Sequence, residues 1–116
     1  MAEMTLPIPD ELAERIRGME EWMPTVLELG LSGFRTVAAA TASEVIEFLS
    51  TNPSHQAVRD YHVSERAQDR LQRLLVLNEA GMLCEHEHSE LDELQRIEHI
   101  VILLKARVVE QHTGEG

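Results

Sequence analysis

The segment Cys84-Glu85-His86-Glu87-His88 is the densest set of side chains able to bind a metal or move a proton. Cys84 and His88 are four apart, so on a helix they share one face. A thiolate beside an imidazole is a ligand pair for zinc or another soft metal, and His99 lies three turns further along the same helix. A structural zinc site takes four ligands, however, and the chain has a single cysteine. His86 points off the Cys84–His88 face. Cys84 and His88 are thus weak metal candidates, and the expectation is a solvated acidic helix start with no metal and no cofactor. As a nucleophile, Cys84 would have a helix N-terminus to help it, but Glu85 and Glu87 oppose the thiolate.

Glu90, Asp92, Glu93 and Glu98 could serve acid–base or di-metal chemistry. Di-metal bundles use Glu-x-x-His pairs and inward carboxylates on facing helices. Glu85 and His88 form one such pair, and the preceding helix offers only Glu65, Asp69 and Glu79. The four acids are therefore expected on a solvated face. There is no P-loop, no dinucleotide glycine fingerprint, no Gly-x-Ser-x-Gly and no His-Glu-x-x-His. The chain is expected not to be an enzyme.

Those side chains must be carried by helices. Of 116 residues only four are aromatic (Trp22, Phe34, Phe48, Tyr61), and the apolar surface is aliphatic, which suits helix-on-helix packing. Pro7 and Pro9 hold the opening extended, and Pro9 suits the start of a helix whose first turn is Asp10-Glu11. Leu12, Ile16 and Met19 mark its apolar face, and Gly18 weakens its end. A second helix begins near Trp22, with Pro24 in its first turn. Thr36 to Ala40 reads as a connector. Thr41-Ala42-Ser43-Glu44 has capping-box spacing before the apolar positions Val45, Ile46, Phe48 and Leu49, and this helix ends before Asn52-Pro53. Pro53 can start a short helix with Val58 and Tyr61 inward.

Ser64 caps the first long helix, which reaches about Ala80, with Gly81 as a left-handed cap. The last helix runs from about Glu85 to Gln111. Leu91, Leu94, Val101, Leu104 and Val108 form an a/d stripe along it, in which Ile97 and Glu98 share the junction. From Ile97 to Val109 the helix is apolar around most of its circumference, so it is expected to be buried all round, as a central core helix, as an intermolecular seam, or as both in a dimer.

The fold class expected is all-α: a short extended N-terminal segment, several short helices, then a long C-terminal antiparallel helical hairpin. The division expected is 1–40, an extended segment with two short helices, and 41–116, a helical domain ending in the 64–111 hairpin. The formal charge of −11 disfavours nucleic acid as a partner. A lone cysteine excludes an internal disulfide. The opening has no signal-peptide pattern, and the longest apolar run, Ile100 to Leu104, is far too short to span a membrane. A cytoplasmic protein with no membrane association is the expectation.

Two resemblances add to this. Leu6-Pro7-Ile8-Pro9-Asp10-Glu11-Leu12 resembles the entry of ribbon-helix-helix proteins, where a short strand leads into the first helix. That likeness implies a transcriptional regulator with DNA contacts from Thr5, Arg15 and Arg17. The second half is similar to a group of small bacterial helical proteins. The likeness is carried by Ser64-Glu65-Arg66-Ala67-Gln68, Arg70-Leu71, Asn78-Glu79-Ala80-Gly81-Met82-Leu83, Glu90-Leu91-Asp92-Glu93-Leu94 and Leu104-Lys105-Ala106. Proteins of that group look like accessory members of toxin–antitoxin pairs.

The leading expectation is a non-catalytic, acidic, antitoxin-like homodimer. It would sequester a protein partner, such as a small toxin or nuclease, through its C-terminal hairpin. Leu94, Ile97, Ile100, Val101, Leu104 and Val108 are the expected partner or dimer interface. A ribbon-helix-helix regulator is the first alternative and a metal-binding helical bundle the second.

Overall fold

Local chemistry sets most helix ends in the computed structural model, which describes the backbone of residues 2–115 and the side chains of residues 2–110. α1 spans Asp10–Ile16, a 3-10 turn spans Glu20–Trp22, and α2 spans Met23–Leu31. α3 (Ala38–Ser50), α4 (His55–Asp60), α5 (Glu65–Glu79) and α6 (Glu85–Glu115) follow. Among the described residues there is no strand, and the protein is all-α.

Serine hydroxyls start two of these helices. Ser54 Oγ accepts the Ala57 N–H at 3.1 Å and Ser64 Oγ accepts the Ala67 N–H at 3.2 Å; each satisfies one of the four orphan donors of a first turn. The α5 end is a Schellman turn. Gly81 has φ +68°; its N–H bonds to Asn78 O at 3.0 Å, and the Met82 N–H reaches back to Leu77 O at 2.9 Å. Glycine adopts that φ without the Cβ–carbonyl clash another residue would meet. At α6, the Glu87 carboxylate accepts the Cys84 N–H at 3.1 Å, the carboxylate half of a capping box.

Two sequence expectations change in α3. Thr36 to Ala40 is not a connector, because the helix already runs from Ala38. Thr41 to Glu44 is not its cap. The Thr36 hydroxyl caps instead, accepting the Ala38 N–H at 3.1 Å. Ala38, Thr41 and Ala42 are all buried. Their small size lets this helix approach its neighbours closely, which leaves no periodic row of large apolar residues to read. The expected division at 40/41 therefore falls inside α3.

One buried cluster runs from Met19 and Trp22 through Leu29, Val45, Leu49, Val58 and Leu74 to Ile97, Leu104 and Val108. α6 is its spine: α2, α3, α4 and α5 all pack on it. Burying each large aliphatic side chain contributes roughly 1.5–3 kcal/mol before entropy is charged. The stripe read from the sequence, Leu91 to Val108, is buried throughout. The helix is not covered all round, however. Ile102 is 54% exposed and Leu103 47%, because its four neighbours lie to one side. Among the described residues, no helix is long and apolar enough to cross a membrane.

Candidate functional site: the outer face of the hairpin

Two carboxylates of α6 organise the molecule from within. Glu90 is 2% exposed. Arg70 of α5 grips it with two parallel bonds, Nε to Oε2 at 2.6 Å and Nη2 to Oε1 at 2.9 Å. Glu87 stands 3.9 Å from the same guanidinium. The Arg70 pKa is held above its ordinary value, chiefly by the Glu90 hydrogen bond. Glu87 is held below the ordinary carboxylate range, first by the Cys84 N–H and also by Arg70 and Arg73.

Glu93 ties α6 to the loop between α2 and α3. It accepts the Arg35 N–H at 3.0 and 3.1 Å, the Thr36 N–H at 3.0 Å and the Thr36 hydroxyl at 2.8 Å. Burial pushes its pKa up, but these donors outweigh burial and hold it below the ordinary range. Glu90 and Glu93 are therefore not on a solvated face, contrary to the sequence expectation, whereas Asp92 and Glu98 are exposed.

A depressed carboxylate stabilises the fold fully above its unfolded pKa, about 4.3, and that stability is lost as pH falls through the lower folded value. Acid titration followed by circular dichroism should show Glu93→Gln starting less stable near neutrality. It should then lose less stability than the parent chain below about pH 4.3. Parallel acid curves for the two proteins would contradict this.

The surface open to a partner lies on the other side of α6. A groove of about 410 Å³ runs between the Tyr61–Val63 loop, α5 and α6. Leu71, Val101 and Ile102 line it together with Asp69, Glu98 and Lys105. Tyr61 lies at its edge, stacked on Phe48 with ring centroids 4.3 Å apart; burial, then Glu44, pushes the phenol pKa up. Beyond the groove, exposed Ile102, Leu103 and Ala106 form an apolar patch on α6. At about 100° per residue, Lys105 and Glu98 flank the patch on one side and Arg96 and Arg107 on the other.

Of the six expected interface residues only Val101 also lines this groove. Leu94, Ile97, Ile100, Val101, Leu104 and Val108 are all within the chain's own core. The exposed apolar face, Ile102 and Leu103, is hard to read in the sequence because it sits among the same aliphatic run. Thr5 and Arg15 are exposed, and exposed Arg17 pairs with Glu14 at 2.9 Å. Cys84 and His88 are both exposed. Among the described residues, no group of three or more His, Cys, Asp or Glu side chains gathers to hold a metal ion.

The comparisons with known proteins return nothing to set beside this geometry: no protein-family model, no curated protein and no solved structure matches the chain.

Proposed function

We propose that this chain is a non-catalytic, homo-oligomeric protein-binding module of the antitoxin type, which holds a partner protein against the outer face of its C-terminal hairpin. One observation carries this reading. Ile102 and Leu103 stand about half exposed on a helix whose opposite face is locked into the core, beside a groove floored by Leu71 and Val101. A rigid apolar patch with a charged rim is the anatomy of a protein interface. Because the helix is already ordered, docking on it costs little further conformational entropy.

The second-half resemblance to toxin–antitoxin accessory proteins supplies the partner class, a small toxin or nuclease made from the neighbouring gene. The test is a calorimetric titration of that purified gene product into the full chain. Saturable binding is expected, and Ile102→Asp/Leu103→Asp should weaken it at least tenfold with helix content unchanged. Absence of heat at tens of micromolar, or equal binding by the double variant, would remove the reading.

A further inference from the structure

The N-terminal arm is another part of the molecule with exposed apolar side chains. Met4 is 81% exposed and Leu6 63%; Ile8 and Leu12 are each 39% exposed. α1 has no buried residue. The core begins only at Met19, beyond Gly18, which turns the chain at φ +94°. An apolar arm that contributes no residue to its own core is an element that can be exchanged between identical copies.

Resting on the reading of the α6 outer face as a docking surface, we propose that its occupant in the free protein is the arm of a second copy. Residues 4–16 of each chain would lie along Ile102, Leu103 and Ala106 of the other. The charge pattern sets the direction. On α1, Leu12 and Ile16 are one turn apart on one face, flanked by Glu11 and Arg15. On α6, Ile102 is flanked by Lys105 and Glu98. Antiparallel placement of α1 on α6 brings Glu11 to Lys105 and Arg15 to Glu98, whereas parallel placement puts these two charged flanks on opposite sides of the seam, where they do not meet. Lys105 has no ion pair within the chain among the described residues.

The other polar groups bordering the groove are Gln68, Asp69 and Gln72 on α5 and Tyr61 and His62 in the preceding loop; Asp69 is a second acid beside Glu98. Pro7 and Pro9 hold residues 4–9 extended before contact, which lowers the ordering cost. A two-fold exchange buries both arms and both patches.

Sedimentation equilibrium of the full chain tests this. A dimer is expected at tens of micromolar. Ile8→Asp/Leu12→Asp and Ile102→Asp/Leu103→Asp should each raise the dissociation constant at least tenfold; both pairs are on the surface, so helix content should not change. Glu11→Lys and Lys105→Glu should each weaken the dimer, and the two together should restore it. A monomer at that concentration overturns the proposal, as does a double charge swap that fails to restore association. If the patch variant dissociates the dimer but the arm variant does not, the docking face stands and the arm is not its occupant. If the arm variant dissociates it and the patch variant does not, the arms pair with each other and the proposal falls. Titrating the partner gene product into the Ile8→Asp/Leu12→Asp variant, whose face is left open, tests the docking face separately.

Discussion

Replacing Arg70 by methionine is expected to cost about 3–5 kcal/mol of stability, because it strands a buried carboxylate. Glu90 is 2% exposed and both its oxygens are taken by the guanidinium fork. Methionine fills much of the arginine stem's volume but offers no donor, so Glu90 keeps its desolvation cost and loses its compensation. Glu90→Gln should be milder, about 1–3 kcal/mol. One amide oxygen still accepts from Arg70, while the NH2 group faces a donor. The double replacement Arg70→Met/Glu90→Met should recover most of the loss, since replacing a whole buried pair with apolar groups is often close to neutral. Urea unfolding of the four proteins measures this. A single Arg70→Met cost below 1 kcal/mol would mean that water reaches the carboxylate. The opposite ordering, with the double variant worst, would mean that the pair contributes net stability rather than alignment of α5 on α6.

Trp22→Ala should cost about 3–5 kcal/mol, at the top of the range for core truncation. The indole is 2% exposed and joins the 3-10 turn to the core. Its edge meets the His55 ring at a centroid distance of 5.7 Å, and His55 also contacts Glu21 at 2.7 Å. A domain of this size has a total stability of about 5–15 kcal/mol, so the alanine variant is expected to be partly unfolded at 37 °C. Trp22→Phe should be much milder. The buried Nε1–H has no hydrogen-bond partner among the described residues, so phenylalanine loses ring volume but no hydrogen bond. Thermal melts by circular dichroism decide this, because Trp22 is the chain's only tryptophan and the variants lose the fluorescence signal. Equal costs for the two substitutions would show that the indole N–H is bonded in solution.

The parts of the fold written in the sequence are those set by near neighbours. Ser64, Gly81 and the Glu87 cap act within a few residues, so their chemistry could be read directly. The Leu91-to-Val108 stripe was legible because one helix face repeats at a fixed period. α3 was missed at its start because its contact residues are Ala38, Thr41 and Ala42, and small size leaves no amphipathic signature. The roles of Glu90 and Glu93 were hidden for another reason. In the row Glu90-Leu91-Asp92-Glu93 every acid has the same local character, and only partners 20 and 57 residues away in the chain separate buried Glu90 and half-buried Glu93 from solvated Asp92. The outer patch was blurred similarly: Ile102 and Leu103 are indistinguishable by type from their buried neighbours Val101 and Leu104.

Because α2, α3, α4 and α5 all pack on α6, the order in which the ribosome delivers them matters. Trp22, Leu29, Val45 and Leu49 emerge well before the helix that covers them. At about 5–20 residues per second, roughly 5–15 s separate synthesis of Trp22 from that of Val108. During that interval the nascent chain carries a core without its spine, and its aliphatic faces are open to chaperones or to the same segments on a neighbouring ribosome of a polysome. Vectorial synthesis thus leaves the first helices waiting, and a pulse-labelled chain arrested before residue 90 should be far more sensitive to protease than the released protein.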